Sequence, residues 1–246
     1  MKREFNPDEP ELMDRPQPVT PELEGDLENL RRLNRYFGSY GLVRTFLRCW
    51  FVPGGTYRVL DLATGSGDIP RMMIDWARKN SITLKIDAVD FQASTLEIAR
   101  NLSGDYPEIS YLRGDIRTFE DQLTYDLVHC SLALHHFSEL DATKILLRMK
   151  ALSHDKVLVA DLERSLFTRW SVWLLTSTIF RAPMTVHDAR VSALRAFSFQ
   201  EMEALAMDAG WVSFGHRRFI PARQAIWLRK KEVLPVQLDP ALDFAT

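Results

Sequence analysis

The sequence predicts an α/β fold in which seven strands form a mostly parallel sheet with helices on both faces. Three observations support this prediction. From residue 57 onward, strand-like apolar runs alternate with helical segments, as they do in βαβ units. A turn with two closely spaced glycines follows the first run. Only the residues PARQ separate the last two runs, which favours an antiparallel pair at the edge of the sheet.

The individual elements follow from the spacing of apolar residues. Apolar side chains at helical intervals between Ile69 and Ala77 give the first helix of the sheet region a buried face. Ser198 and Glu201 predict a capping box at the start of the last helix, and Gly210 predicts its end. The predicted strands are residues 57–63, 84–90, 109–114, 125–132, 156–162, 211–219 and 225–230, and the predicted helices lie near 69–80, 93–102, 141–152 and 198–209.

The length of 246 residues and the 46% hydrophobic content fit one domain with appendages. Residues 1–21 contain five prolines and predict a flexible arm. Residues 22–52 predict a lid of two helices, broken at Gly38 to Gly41. The main domain is expected over 53–232, with an insert at 163–196 that borders an acceptor site, and residues 233–246 form a tail.

Composition narrows the class of protein. A net charge of −2 gives no broad basic surface, so a nucleic acid is not expected as a partner. Two cysteines cannot form a disulfide framework and have no metal-site spacing, so a cytoplasmic protein without a metal is expected. The N-terminus has no apolar stretch typical of a secretory signal. The apolar run between Arg169 and Arg181 has 11 residues, too few to span a bilayer.

The turn VLDLATGSGDIP, residues 59–70, is expected to hold a nucleoside cofactor, because glycines let the backbone approach a ligand closely. A dinucleotide would place its pyrophosphate on the helix that follows. Asp68 would repel that pyrophosphate, and Pro70 removes a donor and replaces the third glycine of the dinucleotide motif. S-adenosylmethionine carries a sulfonium and an ammonium instead, so an acidic turn with Asp61 and Asp68 favours it.

Two later strand ends agree with a nucleoside site. Asp90 ends the second strand, at the distance along the chain where a carboxylate accepts hydrogen bonds from ribose hydroxyls. The third strand ends in Gly114, Asp115 and Ile116, where the aspartate can accept from an adenine amino group and the isoleucine can pack on the ring. Three successive strand ends would then line one site.

The segments VLDLATGSGDIP, AVDFQASTLEIAR, RGDI and YDLVHCSLALHHF resemble, in order and spacing, the motifs of class I S-adenosylmethionine-dependent methyltransferases. The resemblance is to the ubiquinone/menaquinone-biosynthesis-like branch, and it covers residues 55–165 well. It implies a Rossmann-like fold. One position departs from the general motif, since Ala63 stands where the first glycine is usual.

The resemblance also implies roles for individual residues. The cofactor site would contain Arg35 or Tyr36 from the lid, then Asp61, Ala63, Gly65, Gly67, Asp90, Phe91, Asp115, Ile116, Ser131 and Leu132. Methyl transfer to a phenol would benefit from a base, for which His135, His136 and His187 are the candidates, with Asp188 placed to orient His187. Asp161 is expected at a strand end, in a salt bridge with Arg164.

The insert predicts the acceptor. Its segment 165–184 contains two tryptophans and predicts a helix that forms a wall over an apolar, aromatic acceptor such as a phenol, quinone or polyketide. Packing on the lid or a dimer face explains the same pattern, so a monomer and a homodimer both stay open. The predicted reaction is O- or C-methylation. The alternatives are a nucleotide-dependent oxidoreductase and a non-catalytic scaffold that binds S-adenosylmethionine.

Overall fold

The computed structural model describes residues 1–230; the predicted tail at 233–246 lies outside them. The helices are α1 (Pro21–Tyr36), α2 (Ser39–Trp50), α3 (Asp68–Lys79), α4 (Ala93–Asn101), α5 (Glu139–Leu152), α6 (Leu166–Thr178), α7 (Pro183–Arg195) and α8 (Phe199–Asp208). The strands are β1 (Thr56–Leu62), β2 (Thr83–Asp90), β3 (Ile109–Arg113), β4 (Tyr125–Ser131), β5 (Ser153–Leu162), β6 (Phe214–Phe219) and β7 (Arg223–Arg229). Short 3₁₀ turns cover Leu12–Asp14 and Leu134–His136.

The seven strands form one sheet in the order β3-β2-β1-β4-β5-β7-β6. The first five are parallel, and β7 runs antiparallel to both β5 and β6. The predicted fold class is therefore confirmed, including the antiparallel pair at one edge. Because the carboxyl ends of the five parallel strands meet at one edge, that edge is where a ligand site is expected.

Alternating side chains along the strands build a core on each face of the sheet. Val59 of β1 packs in the core beneath α2 and α3, whereas the next residue, Leu60, packs in the core beneath α5 and α8. Neighbouring residues of β5 divide in the same way, with Leu158 in the first core and Val159 in the second. Both faces of the sheet are therefore buried, which leaves its edge as the open region.

The N-terminal arm was predicted to be flexible, and in the structure it packs against the domain instead. Arg3 donates hydrogen bonds to the carbonyls of Arg195, His135 and Phe137 at 2.6, 3.0 and 2.7 Å. Farther along, the backbone N–H groups of Leu12 and Met13 donate to the Asp188 carboxylate. The prolines of the arm predict no helix or strand there. The arm is ordered by hydrogen bonds to residues that lie far along the chain.

The lid contains the two predicted helices. Thr20 caps α1 at its start, and Gly38 separates it from α2 with a left-handed φ of +96°. A side chain at Gly38 would also lie 3.1 Å from the carbonyl oxygen of Ile220, so only glycine fits there. The insert forms α6 and α7, which pack on each other, and α7 also contacts α1.

Across residues 1–230, no helix combines the length and the apolar composition that a membrane crossing requires.

Candidate functional site

A cavity of about 700 Å³ lies at the carboxyl edge of the parallel strands. Most of its lining comes from the strand-end turns, the lid, the insert and the arm, and Pro221, Ala222 and Arg223 also contribute. The arm contributes Phe5, Pro7, Pro10, Glu11, Met13 and Asp14, which the sequence did not predict. The cavity therefore has the expected location, and its roof has one more component than expected.

The glycine turn after β1 forms the floor of the cavity. Ala63, Gly65 and Gly67 all have left-handed φ values, of 55°, 56° and 71°. A Cβ atom on Gly65 would meet no protein atom within 4 Å, and Gly65 lines the cavity, so this glycine leaves space for a ligand. A Cβ on Gly67 would lie 2.0 Å from the Tyr111 hydroxyl oxygen. Gly67 is therefore required for packing and does not line the cavity.

Asp61 ends β1 beneath this turn and is almost fully buried. Its carboxylate lies 2.6 Å from Nδ1 of His129, which is fully buried on the adjacent strand β4. The two residues are paired in the register of β1 with β4. This partner fixes the orientation of the Asp61 carboxylate, which lines the cavity.

Asp90 lies at the end of β2 and supports the turn from the side. Its two carboxylate oxygens accept hydrogen bonds from the N–H groups of Gly65 and Gln92, at 2.9 and 3.0 Å. Burial raises the pKa of Asp90, and the two hydrogen bonds oppose the shift. Each oxygen keeps a lone pair for a hydroxyl donor. Phe91 lines the rim and is half-exposed.

The remaining predicted cofactor residues of the strand ends also line the cavity. Asp115 forms an ion pair with Arg117, whose hydrogen bonds lower the pKa of Asp115. Ile116 is buried beside it, and Ser131 and Leu132 follow β4. The lining hydroxyls of Ser131 and Thr64 are buried without a hydrogen-bond partner among the described residues. Two unpartnered polar atoms at a cavity wall indicate a missing polar ligand.

The lid is held to the glycine turn through Asp68. Asn34 and Tyr40 donate hydrogen bonds to the Asp68 carboxylate at 3.0 and 3.1 Å. Arg35, predicted to reach the cofactor, is exposed and lies over the ring of Tyr36, which is itself exposed. The predicted contact is wrong for Arg35 and Tyr36 in this structure because both point to solvent, whereas Asn34 lines the cavity.

Two of the three candidate histidines lie side by side in the lining of the cavity. His135 is buried, and its Nδ1 lies 2.6 Å from Asp161 Oδ1, while its backbone N–H donates to Asp161 Oδ2. His136 Nδ1 lies 2.6 Å from Asp14 Oδ2. Burial would lower the pKa of His136, but the charges of Glu11 and Asp14 raise it to about 10. The arm therefore supplies two carboxylates to this cluster.

His187 lies elsewhere, and a second prediction about this region is also wrong. His187 is half-exposed beside Asp188, and it borders a separate shallow depression under the arm. The Asp188 carboxylate accepts from the arm backbone and also lies 2.8 Å from Nδ1 of His187, but His187 does not line the main cavity. Arg164 pairs with Glu201 at 2.7 Å, not with Asp161, because Asp161 is occupied by His135.

The insert and the lid form the apolar end of the cavity. Side chains from α6 and the residues after it line this end, and they include Trp170, Leu174, Leu175 and Phe180. The lid adds Leu27, Leu30, Leu33 and Phe37. Residues of α6 therefore line the cavity, and the insert also packs on the lid through α7 and α1.

Comparison with known proteins agrees with this architecture. Residues 59–155 match the family model of a methyltransferase domain. This segment of the chain is therefore similar to methyltransferase domains. The match spans the glycine turn and the first four strands, which is the segment that carries the motifs of the resemblance.

Individual relatives share parts of the chain. A curated relative, the 2-phytyl-1,4-naphtoquinone methyltransferase of Thermosynechococcus vestitus, is 41% identical over 80 residues, which are 32% of this chain and about a third (34%) of the relative. The plantazolicin methyltransferase BamL, solved with S-adenosylhomocysteine (SAH), shares the fold with a TM-score of 0.66 and 14% identity over 86% of this chain and 92% of its own. Human N-acetylserotonin methyltransferase, solved with S-adenosylmethionine, has a TM-score of 0.60 and 17% identity, with 84% of this chain and 56% of its own covered.

These comparisons support the methyltransferase interpretation and not the oxidoreductase alternative. Sequence reasoning missed Glu11, Asp14 and Asn34 as cavity residues. It also misassigned Asp161, although the ends of the adjacent strands β4 and β5 could have predicted its contact with His135.

Proposed function

We propose that this protein transfers a methyl group from S-adenosylmethionine to a small apolar acceptor that carries an ionisable oxygen on an aromatic or quinol ring. The observation that carries the proposal is one cavity with two chemically different ends. The glycine turn and strand-end carboxylates form one end, and the side chains of α6 and the lid form the other.

The first end has the donors, acceptors and space that the cofactor requires. Gly65 leaves open space at the wall, and the carboxylate of Asp90 is placed for ribose hydroxyls. The hydroxyls of Thr64 and Ser131 are buried and unpartnered. The carboxylates of Asp61 and Asp68 favour the positive charges of sulfonium and ammonium groups and disfavour a pyrophosphate.

The second end fits the acceptor. Trp170, Leu175 and Phe180 provide an apolar and aromatic lining, typical of small-molecule sites. His135 and His136 also line the cavity, and we propose them as the residues that meet the reacting oxygen of the acceptor. The curated relative is named for a quinone, which is an apolar ring compound of the class proposed here.

Little covalent chemistry is required from the protein. Bound S-adenosylmethionine supplies an activated methyl group on a sulfonium. The chain holds the acceptor oxygen in line with that group and excludes water with the lid, the insert and the arm; orientation of this kind contributes up to roughly 7–11 kcal/mol in favourable systems. The Asp61 carboxylate would favour binding of the positively charged sulfonium and ammonium groups, and the Asp90 carboxylate would hold the ribose.

The proposal is tested by measuring SAH binding and methyl transfer on the full chain. Asp90→Ala should weaken SAH binding at least tenfold, while Asp87→Ala, which removes a carboxylate of the same strand outside the cavity, should leave it unchanged. Release of SAH from S-adenosylmethionine is then followed with 1,4-dihydroxynaphthalene and catechol as acceptors. Absence of SAH binding by the folded protein would contradict the proposal.

Composition and the cavity lining also support proposals about the partner and the cellular compartment. The net charge of −2 and the apolar acceptor wall support a small molecule as the partner, without nucleic acid. We propose that the protein acts in the cytoplasm, since its two free cysteines suit a reducing compartment. Size-exclusion chromatography with light scattering would distinguish a monomer from a homodimer.

A further inference from the structure

A cluster of three side chains in the cavity lining is not explained by the cofactor site. Glu11, His135 and His136 place one carboxylate and two imidazoles so that their ligand atoms all lie within 4.8 Å of one another. The Glu11 carboxylate lies 4.0 Å from His135 Nε2 and 3.9 Å from His136 Nε2. All three side chains line the cavity.

Carboxylates that contact the Nδ1 atoms fix the orientation of both imidazoles. Asp161 and Asp14 each accept from the Nδ1 atom of one histidine at 2.6 Å. Asp161 also accepts from the backbone N–H groups of His135 and Leu162. A carboxylate behind a histidine is the usual outer partner of a metal ligand, because it fixes the Nδ1–H tautomer and turns the Nε2 lone pair outward.

The distances from the Glu11 carboxylate to the two Nε2 atoms leave room for an ion between these groups. A protonated imidazole that simply paired with Glu11 would place its Nε2 within roughly 2.7–2.9 Å of the carboxylate. The observed gaps are about an ångström longer, and among residues 1–230 the structure gives neither Nε2 atom a hydrogen bond. Ligands around a tetrahedral zinc ion lie roughly 3.3 Å apart, so small side-chain rotations would close the set.

The local charge also fits a cation. Three buried or half-buried carboxylates, those of Glu11, Asp14 and Asp161, face two imidazoles. The nearby guanidinium of Arg3 donates to the backbone carbonyls of Arg195, His135 and Phe137 and makes no hydrogen bond to these carboxylates. Arg195 is a neighbouring charge of Asp14, and Arg223 is a neighbouring charge of Asp161. Glu11 is further fixed by the Ser192 hydroxyl, which donates to its Oε1 atom at 2.8 Å.

The geometry points to a divalent transition-metal site formed by Glu11, His135 and His136, with open coordination positions that face the cavity. Two histidines and one carboxylate form a ligand set that suits zinc, ferrous iron, manganese or cobalt. Sequence spacing does not reveal this set, because Glu11 lies in the proline-rich arm, far along the chain from the two histidines.

The role of the ion rests on the proposed function. A hydroxyl of the acceptor that binds at an open position loses its proton to solvent, because the ion stabilises the oxyanion. The oxyanion then forms a bond to the methyl carbon, and the carbon–sulfur bond breaks with its electron pair left on sulfur. An acceptor with two neighbouring oxygens, such as a catechol or an enol beside a carbonyl, would occupy two positions at once.

The test is a titration of the chelator-treated full chain with Co²⁺, followed by visible absorption. We expect one Co²⁺ per chain, displaced by one equivalent of Zn²⁺. Glu11→Gln should weaken Co²⁺ binding at least 100-fold, and Asp161→Asn, which alters only the outer partner, by roughly 10–100-fold. The matched controls Glu9→Gln and His154→Ala remove an exposed carboxylate and an exposed imidazole, and both should bind Co²⁺ as the unaltered chain does.

Three results would overturn the proposal: no Co²⁺ band at one equivalent, unchanged affinity in Glu11→Gln, or an equal loss in the two controls. The first two would favour His135 as a metal-free base held by Asp161. SAH binding is measured on the same samples, because it does not need the metal. A protein that binds SAH but not Co²⁺ contradicts only the metal site, whereas a protein that binds Co²⁺ but not SAH contradicts only the proposed function.

Discussion

The two glycines of the turn after β1 should respond to the same substitution in opposite ways. Both have a left-handed φ, so Gly→Ala costs roughly 1–2 kcal/mol of stability at each. Ala63 already adopts this conformation in the same turn, with a φ of 55°, so the turn tolerates it. The difference between Gly65 and Gly67 comes from what the new methyl group meets.

At Gly65 the methyl group meets no protein atom within 4 Å and enters the cavity. Gly65→Ala should therefore fold, with a loss of about 1–2 kcal/mol in the free energy of unfolding. Its affinity for SAH should fall at least tenfold, which is about 1.4 kcal/mol or more of binding free energy.

At Gly67 the methyl group would lie 2.0 Å from the Tyr111 hydroxyl oxygen and 2.8 Å from the carbon that bears it. Overpacking adds roughly 1–3 kcal/mol to the backbone strain, so Gly67→Ala should lose about 2–5 kcal/mol of stability. Tyr111→Val in the same chain should recover part of that loss.

Urea unfolding gives the stabilities, and calorimetric titration of the folded proteins with SAH gives the affinities. The reasoning is refuted if Gly65→Ala binds SAH as tightly as the unaltered chain. It is equally refuted if Gly67→Ala keeps its stability and loses only affinity.

Three further predictions follow from the contacts of the lid and the core. Burial raises the pKa of Asp26 to about 6, so this group favours folding below about pH 4 and that contribution is lost as the pH rises through 6. Asp26→Asn should therefore raise the unfolding free energy at pH 7 to 8 and not at pH 4, measured by urea unfolding at each pH. Asn34→Ala removes the lid's hydrogen bond to Asp68 and should weaken SAH binding several-fold in calorimetry, with little change in stability. Glu201→Ala leaves the buried Arg164 guanidinium without its carboxylate and removes the capping box of α8, so thermal and urea unfolding should show a loss of about 3–5 kcal/mol.

Matched controls separate these effects from general damage. Glu203→Ala removes a second carboxylate of α8 and should cost less than about 0.5 kcal/mol. Arg35→Ala alters an exposed neighbour of Asn34 and should leave SAH binding unchanged. Equal losses in Glu203→Ala and Glu201→Ala, or in Arg35→Ala and Asn34→Ala, would contradict these explanations.

The strand ends were predictable because topology places them together. Once the alternation predicts parallel strands, their carboxyl ends share one edge, and Asp61, Asp90 and Asp115 must line the same region. The interval between the glycine turn and Asp90 adds a second constraint. The shared edge of the strand ends and the interval to Asp90 both depend on local sequence pattern and on the order of elements along the chain, which the sequence shows directly.

The lid residue that reaches the site was harder to predict. Asn34 and Arg35 are adjacent in α1, and a step of one residue turns a side chain by roughly 100° around the helix. Arg35 has the charge that suits a carboxylate, but the phase of the helix directs Asn34 into the cavity instead. Composition predicted the type of contact, and only packing decides which residue makes it.

The arm escaped prediction for a different reason. Its prolines and charges are typical of a flexible segment, yet Asp14 contacts His136, which lies 122 positions farther along the chain. Gln92 similarly donates to the carbonyls of Met13 and Arg15. Contacts between residues this far apart along the chain leave no local sequence pattern. The arm residues that cover the cavity, and the proposed metal ligand Glu11 among them, are therefore identified only from the three-dimensional structure.

The central claim is that the glycine turn and strand-end carboxylates bind S-adenosylmethionine. The most direct measurement is a calorimetric titration of the full chain with SAH, and separately with NADH. We predict one SAH site per chain with micromolar affinity, and no heat of binding with NADH, because Asp68 and Pro70 disfavour a pyrophosphate at the start of α3. A folded protein that binds NADH and not SAH would contradict the account.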